Sequence, residues 1–272
     1  MAKTTISGTR IDLGAETAAG IPLKPGMSKD AMDRAAVFDG SKRSPNMPPK
    51  DAATLIILDG EGPNAKVLMG KRHEGHKFMP GLFVFPGGRV DRFDGSVPAA
   101  DELHDTVETK IVKTLRGKPT RRRARALGLA AIRETYEEAG LLLGETGGGF
   151  NARHEDWQAF SGLGITPSLS PFRLIARAIT PPGRTRRFDA WFFATPASHI
   201  AHRLPEGTGP SGELQDLHWL TIDEAKSLEL PVITVTVLDE LKKRLTEDPK
   251  LEPTTQAPFF HLKGKTFLRD MI

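Results

Sequence analysis

Three glutamates, Glu134, Glu137 and Glu138, stand at i, i+3 and i+4 in the stretch Arg133-Glu134-Thr135-Tyr136-Glu137-Glu138-Ala139-Gly140. At 3.6 residues per helical turn they share one face, about one turn apart. Leu129, Ile132, Tyr136 and Ala139 fall on the opposite face and can anchor such a helix on a sheet. Like charges this close raise one another's pKa unless a cation joins them. Hard divalent cations take oxygen ligands. Arg133, four residues before Glu137, can neutralise or orient it. The pattern offers a metal site; alone, it equally describes a solvated acidic helix face.

A second stretch, Phe83-Val84-Phe85-Pro86-Gly87-Gly88-Arg89-Val90-Asp91, puts two glycines after an apolar strand. Glycine lets the backbone approach a ligand or ion closely. By itself this reads as a tight turn. Taken together, the two stretches resemble the Nudix hydrolase family, whose box runs Gly, five residues, Glu, seven residues, Arg-Glu-aliphatic-x-Glu-Glu-x-Gly-aliphatic. The second half is met by Arg133 to Leu141, with Thr135 where the family favours an aliphatic residue. The first half is Gly88 to Asp94, with Asp94 in place of the glutamate. Between Gly88 and Arg133 stand 44 residues where the pattern has 13, so 31 are inserted. Lengthening a loop costs entropy that grows only slowly. A box split in this way, with Arg187-Phe188-Asp189 and Trp191-Phe192-Phe193 downstream, is similar to the branch containing CoA and acyl-CoA diphosphatases. Leu68-Met69-Gly70-Lys71-Arg72 only partly suggests the commoner CoA signature.

The resemblance implies an α/β fold, a Nudix-type α/β/α sandwich with a central mixed sheet. It implies hydrolysis of a pyrophosphate bond in a nucleoside diphosphate linked to another group, with Mg²⁺ or Mn²⁺. By family match Glu134, Glu137 and Glu138 are metal ligands, joined by the Gly87 carbonyl, and Arg133 orients Glu137. Glu134 and Glu137 also stand as catalytic residues. Glu213 matches the place of an extra catalytic glutamate in some members; it also reads as a surface loop acid. Arg184, Arg186 and Arg187 are candidates for substrate phosphates, since Arg pairs with phosphate bidentately. A solvated basic turn is the alternative. Other readings stay open: a Nudix hydrolase on ADP-ribose, a nucleotide sugar or capped RNA, or a non-catalytic nucleotide sensor of the same fold.

Several elements must position these residues. The run 52–58 is an apolar strand, residues 65–72 return as a second, and 78–85 lead into the glycine turn. Within the insertion, at about 95–120, Val97, Ala100, Leu103, Val107, Ile111 and Leu115 recur as on one helical face. If the halves of the box meet, this segment lies beside the site and is the place to look for substrate selection. Thr120 can cap the glutamate helix and Gly140 can end it. Arg121, Arg122, Arg123 and Arg125 read as a solvated helix start. Residues 151–164 look irregular. Strands follow at 172–180, 188–194 and 214–220; Trp191 and Phe193 read as packing. Thr221 to Glu224 starts a helix with a capping carboxylate, and Pro231 can open a last helix through about Leu245.

The domain is expected over 50–246, preceded by an arm at 1–49 and followed by a proline-interrupted tail at 247–272. Short apolar pieces of the arm, near Ile21 and Ala35, could dock on the core or on the second subunit of a homodimer. The chain has 272 residues, 38% hydrophobic and 26% charged, as in ordinary globular proteins. It has no cysteine, which excludes disulfides, zinc–thiolate sites and a cysteine nucleophile. A net charge of +4 suits anionic partners, from phosphorylated metabolites to nucleic acid, and equally reads as a plain solubility balance. No aromatic-plus-basic platform argues for nucleic acid. No apolar run approaches the roughly 18 residues of a membrane span, and no signal peptide or peroxisomal address is evident at the termini. A cytoplasmic protein is expected.

Overall fold

The computed structural model describes the backbone of residues 3–6 and 9–12, and residues 47–75, 80–184, 186–263 and 266–272. The apolar pieces near Ile21 and Ala35, and Phe78, lie outside the described residues. Strands β1 (Lys3–Ile6) and β2 (Thr9–Asp12) pair antiparallel.

β3 (Lys50–Asp59) shows the two-residue alternation of a strand covered on both faces. Leu55 and Ile57 enter one core, Ile56 and Leu58 the other. β4 (Lys66–Arg72) returns beside it, but the two pair only next to their turn, Leu58 with Val67 and Asp59 with Lys66. Beyond that they splay. β5 (Phe83–Val84) lines the β4 side of the gap, opposite Lys71 and Gly70. β6 (Gly87–Arg89) lines the β3 side, opposite Thr54, Ala53 and Ala52. The Gly-Gly stretch is therefore wedged between two diverging strands.

The insertion follows. It is helical only over α1 (Asp105–Thr114), shorter than the periodicity suggests. Asp101 holds the preceding chain out of the helix: its carboxylate accepts from the backbone of Leu169 and Ser170 and from the hydroxyls of Ser168 and Ser170. Val97, Leu103, Val107, Ile111 and Leu115 are buried all the same, while Ala100 is exposed. Lys110 fastens α1 to the C-terminal stretch through the carbonyls of Pro253 (2.9 Å) and Thr255 (2.5 Å).

α2 (Arg121–Ala139) carries the glutamates. The Thr120 side chain accepts from Arg123 N at its start, and Gly140 ends it at φ 67°, in the left-handed region. The four arginines at its start have partners: Arg121 with Glu108, Arg122 with Ser96, Arg123 with Asp51 and Arg125 with Glu102. Thr135 is fully buried; its hydroxyl donates to the Ala131 carbonyl at 2.7 Å, which satisfies a polar group where an aliphatic one would need nothing.

β7 (Leu141–Leu143), β8 (Glu145–Thr146), the short α3 (Gln158–Gly162) and β9 (Ile165–Thr166) come next. Residues 151–164 are thus less irregular than expected, because Trp157 and Phe160 are buried and Phe160 packs edge-on to Tyr136. β10 (Arg173–Ile179), β11 (Phe188–Pro196), β12 (Ile200–Arg203), β13 (Leu214–Thr221), α4 (Ile222–Lys226) and α5 (Val232–Glu247) follow. The expected capping box is present at Thr221 and Glu224.

The stretch 247–272 does not end the chain as a tail. β14 (Pro258–Lys263) and β15 (Thr266–Met271) form a hairpin whose first strand pairs parallel with β10. The nine-stranded sheet runs β13-β4-β3-β11-β10-β14-β15, with β5 on β4 and β6 on β3. It is mixed, since β11 also lies parallel to β3. Leu127 and Ile132 of α2 pack in the core on one face, with Trp191 and Phe193. Leu238, Leu241 and Leu245 of α5 pack in the core on the other. The result is an α/β/α sandwich. Among the described residues no helix is long and apolar enough to cross a membrane.

Candidate active site

The C-terminal half of α2 lies over β6, so its carboxylates meet the glycines across the splay. Gly87 N donates to Glu138 at 2.9 Å. A Cβ on Gly88 would stand 2.5 Å from the Glu134 carboxylate, and one on Gly87 would stand 2.5 Å from the Ala53 carbonyl. Neither position has room for a side chain, which is the physical content of the double glycine.

Arg133 organises the carboxylates. Its Nη1 donates to Glu134 at 2.8 Å and to both oxygens of Glu137 at 3.3 Å. Its Nη2 donates to the Arg89 carbonyl at 3.0 Å. The remaining contacts go to Asp94, which is buried and also accepts from Asp91 N. Asp94 therefore reaches Arg133 although they stand 39 positions apart in the chain.

Glu138 is 2% exposed. Burial pushes its carboxyl up to about 8, against the pull of Arg72 and of Gly87 N. Burial likewise pushes Glu134 up to about 7, although Arg133 opposes it, and raises Glu137. Among the described residues, no three His, Cys, Asp or Glu side chains are already drawn into a metal cage. The donor chemistry still fits a hard divalent cation. Three carboxylates on one helix face are each held above the ordinary carboxylate range, and a doubly charged ion would relieve that cost.

A cavity of about 490 Å³ opens at this point. Glu134, Glu138, Glu213, Arg72, Gly87 and Gly88 are among the residues that line it. Its apolar lining includes Ile179, Phe188 and Phe192 of the sheet, Ile233 in the first turn of α5, and Phe267 of the C-terminal hairpin. Arg184 and Arg186 also line it. Arg187, which adjoins β11, does not: its guanidinium donates to the carbonyls of Thr180 (3.0 Å) and Met47 (2.6 Å). Among the described residues, Glu137 stays outside the lining, turned to Arg133, and nothing from 95–120 reaches the cavity. The insertion is thus not beside the cavity as the sequence led us to expect; it packs against the N-terminal half of α2 and the C-terminal stretch.

Sequence reasoning did not single out Arg72 as a site residue. It is 12% exposed and makes contacts with both Glu213 (3.3 Å) and Glu138 (3.7 Å). The sequence signal, an arginine at the end of an apolar strand, names no partner 141 residues away. Phe267 lies in a stretch that reads as a proline-interrupted tail in the sequence, and its strand is set by pairing with β14.

No family model matches the chain. A Caenorhabditis elegans protein with the provisional name nudix hydrolase 7 is 28% identical over 156 residues, which make up 53% of this chain and 43% of that protein. The chain thus spans less than half the length of this curated relative. The crystal structure of a Nudix hydrolase from Alicyclobacillus acidocaldarius superimposes with a TM-score of 0.52 at 26% identity, covering 75% of this chain and 93% of that one. The fold is that of the Nudix hydrolases.

Proposed function

We propose that the protein is a divalent-metal-dependent diphosphatase acting on a nucleoside diphosphate linked to another group, with CoA or an acyl-CoA as substrate. The observation that carries this reading is one cavity lined both by carboxylates and arginines (Glu134, Glu138, Glu213, Arg72, Arg184, Arg186) and by apolar side chains (Ile179, Phe188, Phe192, Ile233, Phe267). A pyrophosphate attached to an apolar group matches both kinds of lining at once.

Glu134, Glu137 and Glu138, with the Gly87 carbonyl, would hold Mg²⁺ or Mn²⁺. Such an ion, when bound, neutralises phosphate oxygens and lowers the pKa of a water. Arg133 fixes Glu134 and Glu137 by donating to both carboxylates. Glu213, at the rim with 41% of its side chain exposed, can take the proton of the attacking water. Arg184 and Arg186 can pair with phosphate oxygens. Charge and cavity suit a small phosphorylated ligand in an aqueous compartment, the cytoplasm in our reading.

The test is a product screen over CoA, short- and long-chain acyl-CoA, NADH, ADP-ribose and nucleotide sugars, with Mg²⁺ or Mn²⁺. Cleavage between the two phosphates of CoA or its thioesters is expected. Preference for ADP-ribose or a nucleotide sugar would overturn the substrate assignment. Binding without cleavage under any metal would make the protein a sensor.

A further inference from the structure

Among the described residues the insertion does not line the cavity, yet it is tied to an element that does. In the hairpin of β14 and β15, among its described residues, Phe267 alone lines the cavity. It is 2% exposed, and its ring lies nearly parallel to that of Phe260, 6.0 Å away at 6°. Ile233, in the first turn of α5, lines the same cavity and packs against the same core.

The backbone holds this hairpin lightly. β15 is the last strand of the sheet and pairs with β14. β14 meets β10 at two positions, Arg177 with Phe259 and Ala178 with Phe260. A two-stranded hairpin is marginal without further packing. Side chains supply it, and two of them join the hairpin to the insertion. Arg177 is fully buried, with its guanidinium 4.3 Å from the ring centroids of both Trp191 and Phe259. Two of its nitrogens pair with Asp189 at 2.7 Å, and Nη1 donates to the Thr114 carbonyl, at the end of α1, at 2.6 Å. The carbonyl end of a helix attracts a cation. About one turn earlier, Lys110 donates to the carbonyls of Pro253 and Thr255, just before β14. At the base of the hairpin Ala257 and Ile272 exchange backbone hydrogen bonds at 2.9 Å, and both pack with the core that holds Val107 and Ile111. β15 is tied to α5 as well, by Arg269 to Glu240 at 2.6 and 2.8 Å.

We propose that the C-terminal hairpin sets how large an apolar group the cavity admits, with Phe267 as the specificity-determining contact and the insertion as the brace that holds the hairpin in place. This rests on the diphosphatase reading above and says where its chain-length selection is made. A change of one methylene in an apolar lining alters discrimination by about 10- to 200-fold. The insertion thus bears on the choice of substrate without touching it.

The test compares kcat/KM for a long-chain acyl-CoA with that for free CoA, in the parent and in Phe267→Ala, Phe267→Leu, Ile233→Phe and Lys110→Met. Phe267→Ala should raise the ratio by about tenfold, and Phe267→Leu by less. Ile233→Phe adds bulk at a half-buried position and should lower the ratio; it decides the matter if the Phe267 variants do not fold. Lys110→Met keeps the length of the side chain and loses its two hydrogen bonds. It should move the ratio in the same direction as Phe267→Leu, which a role in stability alone would not do. A ratio that stays or moves the other way in Ile233→Phe, or in a folded Phe267 variant, would overturn the role of Phe267. A parental ratio in Lys110→Met would overturn the brace. If the parent binds the thioesters but cleaves none with any metal, the diphosphatase reading falls, and calorimetric affinities without metal replace kcat/KM: shifts of the same signs uphold the hairpin's role, and their absence overturns it. A parent that neither binds nor cleaves CoA or its thioesters overturns both.

Discussion

Asp94 and Arg133 form a two-pronged ion pair, Nε to Oδ1 at 3.0 Å and Nη2 to Oδ2 at 3.1 Å, with the two residues 1% and 5% exposed. The pair clips the loop after the glycines onto the glutamate helix across 39 residues of sequence. With two nitrogens so engaged, Nη1 is aimed at Glu134 and Glu137. Asp94 meets Arg133 because the 3₁₀ turn Asp94–Ser96 packs against α2.

Asp94→Asn should therefore do more than remove a charge. Breaking one side of a buried pair costs about 3–5 kcal/mol. Urea unfolding of the variant should show that loss, and kcat should fall with it as Arg133 loosens its hold on Glu137. A stable variant with parental activity would show that the clip is dispensable.

Glu138→Gln should separate stability from function. The parent carboxylate is buried and held above the ordinary range by that burial, so the neutral amide relieves a desolvation cost. The variant is expected to unfold at the same urea concentration or higher without metal, and to lose activity by at least about 100-fold. Thermal shifts with Mn²⁺ should shrink relative to the parent. Parental turnover would remove Glu138 from the site.

Two neighbouring arginines should respond differently. Arg186 is exposed and lines the cavity; Arg186→Ala should raise KM by roughly tenfold, as expected when a charged hydrogen bond worth about 1.5–3 kcal/mol is lost. Arg187 donates to two backbone carbonyls. Arg187→Ala should lower stability by about 1–3 kcal/mol with KM little changed. Steady-state kinetics and unfolding on the same pair of variants would show whether the roles are reversed.

His199 gives a pH dependence with a definite sign. Burial pulls its imidazole down to about 4, against the opposing influence of Asp101, and Nδ1 lies 3.0 Å from Thr195 Oγ1. The unfolded chain takes up this proton below about 6.5, while the folded one stays neutral until about 4. Stability should therefore be complete above about 6.5 and fall as pH drops through that window, by at most about 1.4 kcal/mol per unit. His199→Gln should lose less over the same range. Parallel curves for the two proteins in urea titrations from pH 7 to 4.5 would contradict it.

The sequence by itself determined the glutamate helix: its cap at Thr120, its end at Gly140 and the carboxylates sharing one face. Those features act within a turn or two of chain, so local periodicity and capping chemistry suffice to read them. It also determined β3, whose continuous apolar run is what a strand with a core on each face requires. Tertiary structure alone decided that β3 and β4 splay to admit Gly87, that residues 258–271 join the sheet, and that Phe267 walls the cavity. It alone assigned Arg184 and Arg186 to that cavity and gave Arg187 to the backbone. It alone brought Arg72 to Glu213 and Glu138. Each of these is a pairing between residues far apart in the chain. Such pairings are settled when whole layers pack and buried polar groups find partners, and no local pattern of residues records that outcome.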